Sequence, residues 1–452
     1  MFVKFILPEL QEARSRYFRN IKYSLFPPLG LAQLAGYLSA DDSAEIVDCH
    51  VDKGVFDDSP DLVVIQTYIT NAKRAYAIAD EYRKRGIYAV IGGLHATSLP
   101  DEALQHADAV ITGPAHQAWP DFLHKFRANR TIKGIFSDQV RSLDNLPMPR
   151  RDLIDRNKYL VPNSIVVSRG CPNRCNFCYT QNFFANGKSF YTARIDRILS
   201  EISSLPGRHL FFLDDNLLAD ARFAAELFRA MQGMNRRFQG AASTTAVLNE
   251  KLLDQAAQAG LRSLFIGFES INQQALIACS KLHNHVAEYN NVIKNLRSRN
   301  IMTNASFVFG LPGDTRDTFK RTVDWALSQG VETATFHLAT PYPGTPFYQA
   351  MEKENRILTH DWDLYDTRHA VIKHDTMTPA ELEAGYQQSY KDFYAWSSIW
   401  QSAGVKESTK QQLRSFIYTA AWKKFDWLWP LIIRGKNLPY CSKILEKVLD
   451  MH

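Results

Sequence analysis

The stretch Ser164–Tyr179, SIVVSRGCPNRCNFCY, decides how the chain is read. It opens on a short apolar run, Ile165 to Val167, of the length expected for a buried strand. That run leads straight into Cys171, Cys175 and Cys178, spaced CxxxCxxC. Three thiolates on one tight loop can ligate three irons of a 4Fe-4S cubane and leave the fourth iron open. A zinc site asks for four closed ligands, usually from CxxC pairs, and the sequence has no second pair. The remaining cysteines, Cys49, Cys279 and Cys441, are scattered. This pattern fits a reduced, cytoplasmic protein with one metal site, not a disulfide framework.

Downstream of the loop, strands are expected at Leu210 to Leu213, Gly240 to Ser243, Leu264 to Phe268, Thr303 to Phe309 and Thr333 to Leu338. Helical segments such as Ile195 to Ser203, Glu250 to Ala259 and Asp317 to Ser328 lie between them. Six strand-helix units predict a partial (β/α)6 barrel of the TIM type, with its chemistry at the C-terminal strand ends.

Upstream, a second alternating series runs from Phe2 to Ile111, with strands at Phe2 to Leu7, Ala44 to Val47, Leu62 to Ile65, Tyr88 to Ile91 and Ala109 to Ile111. Such uniformly apolar strands, alternating with helices, predict a Rossmann-like parallel sheet covered on both faces. Ligands of such a sheet sit at its carboxyl edge, here Pro8-Glu9, Thr67 to Asn71, Gly92 to Thr97 and Gly113-Pro114. The expected fold class is therefore α/β: the Rossmann-like sheet over residues 1–135, a linker over 136–162, the barrel over 163–355 and a helical C-terminal region over 356–452. The linker carries Pro147 and Pro149 and cannot be regular structure there.

Bulk properties exclude several classes. Of 452 residues, 45% are hydrophobic and 22% charged, as in an ordinary globular protein, and the net charge of +6 is mild for that length. No run of Lys and Arg is dense enough for a nucleic-acid stripe, so no nucleic acid is expected as partner. No stretch approaches 18 uncharged apolar residues, so no spanning helix is expected. In the tail, Trp422, Trp427 and Trp429 stand beside Lys423, Lys424 and Arg434. That interleaving suits either a weak contact with a membrane surface or a helix that closes the open side of the barrel.

The cysteine motif and its surroundings resemble the radical S-adenosylmethionine superfamily. Phe177 stands at the family's aromatic position near the adenine. Leu213-Asp214-Asp215-Asn216 resembles its strand-end polar segment, and Ile266-Gly267-Phe268-Glu269-Ser270 its GxES strand. Phe309 to Thr315 and Pro341 to Pro346 match its GLPGxT and PxPGTP segments. The resemblance implies an enzyme whose open iron chelates S-adenosylmethionine for reductive cleavage to a carbon radical, with Asp215, Asn216 and Glu269 as ligands of that molecule. It also implies a flavodoxin, ferredoxin or reductase as electron donor and a small-molecule substrate. One departure is that no Arg follows the third barrel strand. Ser243-Thr244-Thr245-Ala246 stands there, so the hydroxyls of Ser243 and Thr245, or another cation, are expected to take over.

Residues 1 to about 130 resemble the cobalamin-binding domain that precedes the barrel in one branch of this superfamily. Thr67, Thr70, Gly92, Gly93, His95 and Gly113 are the implied cobalamin-binding residues. Two features depart from that branch. Gly113-Pro114-Ala115-His116 replaces the usual Gly-Glu-Gly-Glu, and Asp48-Cys49-His50 begins a DxHxxG motif whose glycine, Gly54, comes one residue late. His50 therefore reads as a loop histidine, and cobalamin is expected with no protein side chain below cobalt. The leading functional expectation is cobalamin-dependent methylation, a transferase step in small-molecule biosynthesis. Two alternatives stay open: cobalamin-free radical chemistry (rearrangement, oxidation or 3-amino-3-carboxypropyl transfer), and a non-catalytic cofactor-sensing or scaffold protein.

Overall fold

The computed structural model describes residues 1–13, 24–137, 141–185, 188–425 and 427–451, without the side chain of Arg434. Part of the expected linker, 138–140, lies outside the described residues.

The N-terminal sheet holds β1 (Phe2–Leu7), β2 (Ser43–Asp48), β3 (Leu62–Thr67), β4 (Tyr88–Gly93), β5 (Ala109–Ile111) and β6 (Gly134–Phe136). All pairings are parallel and the order is β2-β1-β3-β4-β5-β6. Alternate residues of the same strands feed two cores. Val63, Ile65, Ala89, Ile91 and Val110 pack under the helices Ala72–Lys84 and Pro100–His106. Leu62, Val64, Val90, Ala109 and Ile111 pack under Leu29–Ala35 and Ala118–Ala128. Two-sided burial explains why these strands are apolar throughout. The strand order reverses between β1 and β3, and that switch point opens a crevice at the carboxyl edge. β6 was not expected: its three residues straddle the boundary expected between the sheet domain and the linker.

The second sheet holds β7 (Ser164–Ile165), then, after a small antiparallel pair β8 (Ser168–Gly170) and β9 (Phe190–Thr192), the strands β10 (His209–Phe212), β11 (Arg237–Ala242), β12 (Leu261–Glu269), β13 (Met302–Phe309) and β14 (Thr333–Leu338). Its order, β7-β10-β11-β12-β13-β14, follows the chain, and every pairing is parallel. This is the six-stranded partial barrel expected.

The free edge of β14 is covered by the helix Pro379–Phe393. The hydroxyl of Tyr394 donates to the Ala334 carbonyl and accepts from its N–H, and the Tyr390 hydroxyl accepts from the Phe336 N–H. Side chains thus satisfy an edge that would otherwise invite another strand. The tail does something other than close this side. Helices Thr409–Lys423 and Leu438–Leu449 sit across the N-terminal mouth of the barrel. Glu446 accepts from the N–H groups of Arg208 and His209 at the start of β10, and Asp450 pairs with Arg208 and Arg237. Of the three tail tryptophans, Trp422 packs against the barrel core and Trp429 is buried beside Leu160 and Leu438, leaving Trp427 exposed. No helix among the described residues is long and apolar enough to cross a membrane.

Candidate active site

The cysteine loop leaves β8 at Gly170, whose φ is +77° and where a Cβ would lie 2.0 Å from the Ser189 carbonyl oxygen, so only glycine fits. Two carboxylates from the end of β10 hold the loop's shape. Asp214 accepts from the N–H groups of Val167 and Ser168 and from the Ser168 hydroxyl. Burial pushes its carboxyl up to about 6, against those hydrogen bonds. Asp215 accepts from the Gly170 N–H at 3.1 Å and from the Tyr179 hydroxyl at 2.5 Å, so it ties together the residues flanking Cys171 and Cys178. Each of its oxygens thus accepts one bond from the loop, so Asp215 braces the loop in this structure.

Other bonds fix the loop from below. Gln181 donates to the Cys175 carbonyl at 2.6 Å, and the Asn176 N–H donates to the Cys279 carbonyl at 3.1 Å. The PxPGTP segment closes on the same place. The Phe347 N–H donates to the Asn176 carbonyl, and a Cβ on Gly344 would meet the Asn182 amide at 2.4 Å. Asn216 places its amide nitrogen 3.9 Å from Cys171 Sγ, and Thr180 its hydroxyl 3.2 Å from Cys178 Sγ. Hydrogen bonds of this kind tune a thiolate-bound cluster. Among the described residues no three His, Cys, Asp or Glu side chains converge on one point as a single zinc ion would need. A cubane instead asks each thiolate for its own iron, which is the arrangement that a braced three-cysteine loop suits.

A buried cation lies near the end of the strand after β11. At the end of β12 the pairing slips by one residue and Glu269 takes φ +63°. This turns its carboxylate onto Lys281, with Nζ 2.6 Å from Oε1 and both residues no more than 9% exposed. Burial works against the charge on Lys281, but Glu269 together with Cys175 and Cys178 holds the ammonium above its ordinary value. Lys281 Nζ also lies 6.0 Å from the centre of the Phe177 ring. Gly267 leaves the space: a Cβ there would sit 2.4 Å from the Glu269 carboxylate. Sequence reading missed Lys281, which has no motif of its own and enters through a loop after the helix Gln273–Ala278. Ser243 and Thr245 sit at the end of β11 with their hydroxyls 3.2 Å apart, the second of them exposed.

At the carboxyl edge of the N-terminal sheet, backbone predominates. Gly93 has φ +110°, and a Cβ there would lie 2.5 Å from the Thr67 carbonyl oxygen. Thr67 spends its hydroxyl on the Gly92 carbonyl and the Ala96 N–H, so it shapes the turn. Gly30, Gly92, Gly93 and Gly113 line a cleft of about 150 Å³ between the sheet and the helix Leu29–Ala35. Side-chain-free walls of this kind admit a flat ligand. His50 is fully engaged: Nδ1 lies 2.7 Å from Asp48, and Nε2 accepts from the Leu10 N–H at 3.0 Å. With its lone pair used, it has none for cobalt. His95 is buried, with Nε2 3.0 Å from Glu102 and its ring edge-on to Trp362.

The two carboxyl edges face one another. A cavity of about 370 Å³ lies between them, lined by Thr70 and His95 from the first sheet and by Tyr179, His337 and Tyr342 from the barrel, with Tyr365 beyond.

A model of the Radical SAM superfamily matches residues 165–326, and a model of the B12 binding domain matches residues 22–123. The chain is 30% identical over 378 residues to the bacteriochlorophyllide d C-8(2)-methyltransferase of Chlorobaculum tepidum, covering 78% of this chain and 82% of that one. It is 29% identical to the bacteriochlorophyllide d C-12(1)-methyltransferase of the same organism, covering 75% and 76%. The fold is that of the methyltransferase TsrM from Kitasatospora setae, with a TM-score of 0.66 over 99% of both chains at 15% identity.

Proposed function

The chain belongs to the radical S-adenosylmethionine superfamily, in the branch with a B12 binding domain ahead of the barrel, and on that premise we propose that it methylates a carbon of an apolar ring compound held between its two sheets. The observation that carries this reading is the shared cavity: Thr70, Leu94 and His95 at the carboxyl edge of one sheet and Tyr179, the neighbour of Cys178, face the same space. A methyl group passed between two cofactors and a substrate needs all three within contact of one another.

When bound, the cluster and S-adenosylmethionine supply reductive carbon–sulfur cleavage, and cobalamin supplies a transferable methyl group. The chain's own residues do the rest. Cys171, Cys175 and Cys178 hold three irons. Lys281 offers its two remaining N–H donors to the carboxylate of S-adenosylmethionine, while Glu269 keeps that ammonium charged and aimed. Asn216 steadies the Cys171 end. Phe177 presents a ring face to the adenine. Tyr68, Tyr179, Tyr342 and Tyr365 give the cavity walls that favour a flat, apolar substrate and keep water from it. The two relatives named above act on bacteriochlorophyllide d, and a pigment-like ring is the substrate class we assign. A ferredoxin or flavodoxin is the electron donor that this chemistry calls for.

The test is anaerobic reconstitution with iron, sulfide and hydroxocobalamin, followed by reaction with methyl-deuterated S-adenosylmethionine and bacteriochlorophyllide-type substrates. Label in the product together with S-adenosylhomocysteine is the expected result. Deoxyadenosine alone, from protein that retains no cobalt after desalting, would overturn it.

A further inference from the structure

The segment that follows β5 departs from the branch's usual pattern, and the structure shows what the departure places. The chain leaves Ile111 through Gly113 at φ +70°, then Pro114, then Ala115 at φ +63°. A left-handed conformation at a residue with a Cβ is strained, and strain of this kind persists where the surroundings use it. Its effect here is to turn His116 into the glycine-lined cleft. The residue is 9% exposed, its ring meets Tyr191 edge-on at 6.2 Å, and its Nε2 is buried with no hydrogen-bond partner among the described residues. Buried ring nitrogens are rarely left that way.

The cleft itself selects by shape. Its volume is about 150 Å³, a size that holds one small aromatic ring system, and its inner wall is Val64, Val90 and Ile111. The polar side chains in its lining are His116, Gln33, Tyr37, Gln66 and Arg169. Burial, helped by Arg169, Arg141 and Arg197, pushes the His116 imidazole down to about 3, so the ring is neutral and carries a single proton. A neutral imidazole can hold that proton on Nε2 and donate it.

Resting on the cobalamin reading above, we infer that His116 reads the nucleotide base of the bound cobamide, its Nε2 donating to a ring nitrogen that a benzimidazole offers and a phenol lacks. The base nitrogen is available for this because it does not coordinate cobalt when the base lies in the cleft. The inference makes this chain selective among cobamides, a property separate from methyl transfer.

The experiment measures equilibrium binding of two cobamides, cobalamin and one with a phenolic lower base, to the reconstituted protein by visible spectra after titration. The wild type should bind cobalamin about tenfold more tightly than the phenolic cobamide, the value of one hydrogen bond to a buried group. His116→Phe should lose that preference by weakening cobalamin alone. His116→Asn, which keeps a donor, should retain most of it, and iron content and circular dichroism report whether each variant is folded. Equal affinity of the wild type for both cobamides, with cobalt bound stoichiometrically, would overturn the inference and leave the cobalamin reading standing. Retention of neither cobamide would overturn both.

Discussion

The two parallel sheets meet edge to edge, yet they build their sites by opposite means. The barrel edge is made of side chains already committed to one another: Asp214 and Asp215 to the cysteine loop, Glu269 to Lys281. The N-terminal edge is made largely by leaving side chains out, through Gly30, Gly92, Gly93 and Gly113. Topology accounts for the contrast. In the barrel the strands follow chain order and converge on one mouth, so residues from several strand ends can reach a common point. In the open sheet the order reverses at β1 and β3, and what results is a gap to be kept clear. The barrel edge should therefore fail when a group is removed, and the other edge when a group is added.

The largest expected effect is at the cluster. Cys175→Ala should abolish the brown colour of the reconstituted protein and all cleavage of S-adenosylmethionine, whereas Cys441→Ala should leave both intact; full cleavage by the first variant would break the comparison at its root. Next comes Lys281→Met, expected to weaken S-adenosylmethionine binding roughly a hundredfold, as for a lost hydrogen bond between charged groups. Lys281→Arg should restore most of that affinity in the same calorimetric titration, and a Met variant that binds normally would return the pair to a purely structural role.

Addition is tested by Gly93→Ala. The new Cβ must fit beside the Thr67 carbonyl in a left-handed backbone, which should cost about 1–3 kcal/mol of stability by denaturant titration and lower cobalt retention, with the iron content unchanged. Asp215→Asn sharpens the idea of committed side chains. It should destabilise the cysteine loop by about 1 kcal/mol, seen as faster loss of iron to a chelator, with little change in affinity for S-adenosylmethionine. The smallest effect is expected at His50→Gln, where the visible spectrum of bound cobalamin should not move, because that nitrogen already serves the Leu10 N–H.

Much of this was legible in the sequence because it rests on local signals. Apolar runs of strand length marked all the long strands, and CxxxCxxC fixed the cluster loop. What escaped reading depends on partners distant in the chain. β6 is three residues long and gains its identity only by pairing with β5. Asp215 stands at a strand end where a ligand-binding carboxylate would also stand, and its brace to the loop appears only once the fold brings Tyr179 to it. Lys281 looks like any loop lysine until the bulge at Glu269 brings the two together. His116 stands out in the sequence only as the end of the segment that replaces Gly-Glu-Gly-Glu. The left-handed turn at Ala115 that aims it inward has no signature, since alanine is not the residue that such a turn prefers.

The plug across the N-terminal mouth sets a schedule for the chain's synthesis. Arg208 stands just before β10 and finds its carboxylate 242 residues later, in Asp450, and Arg237 waits 213 residues for the same partner. At a ribosome's pace of 5–20 residues per second, that interval is roughly 12 to 48 seconds. Throughout it the first sheet, whose strand pairings all lie within its own segment, can form, while the barrel stands with its floor open to water and to neighbouring nascent chains. The half that binds by leaving space is finished early. The half that does the radical chemistry is closed last, by the helix that reaches back to its first strands.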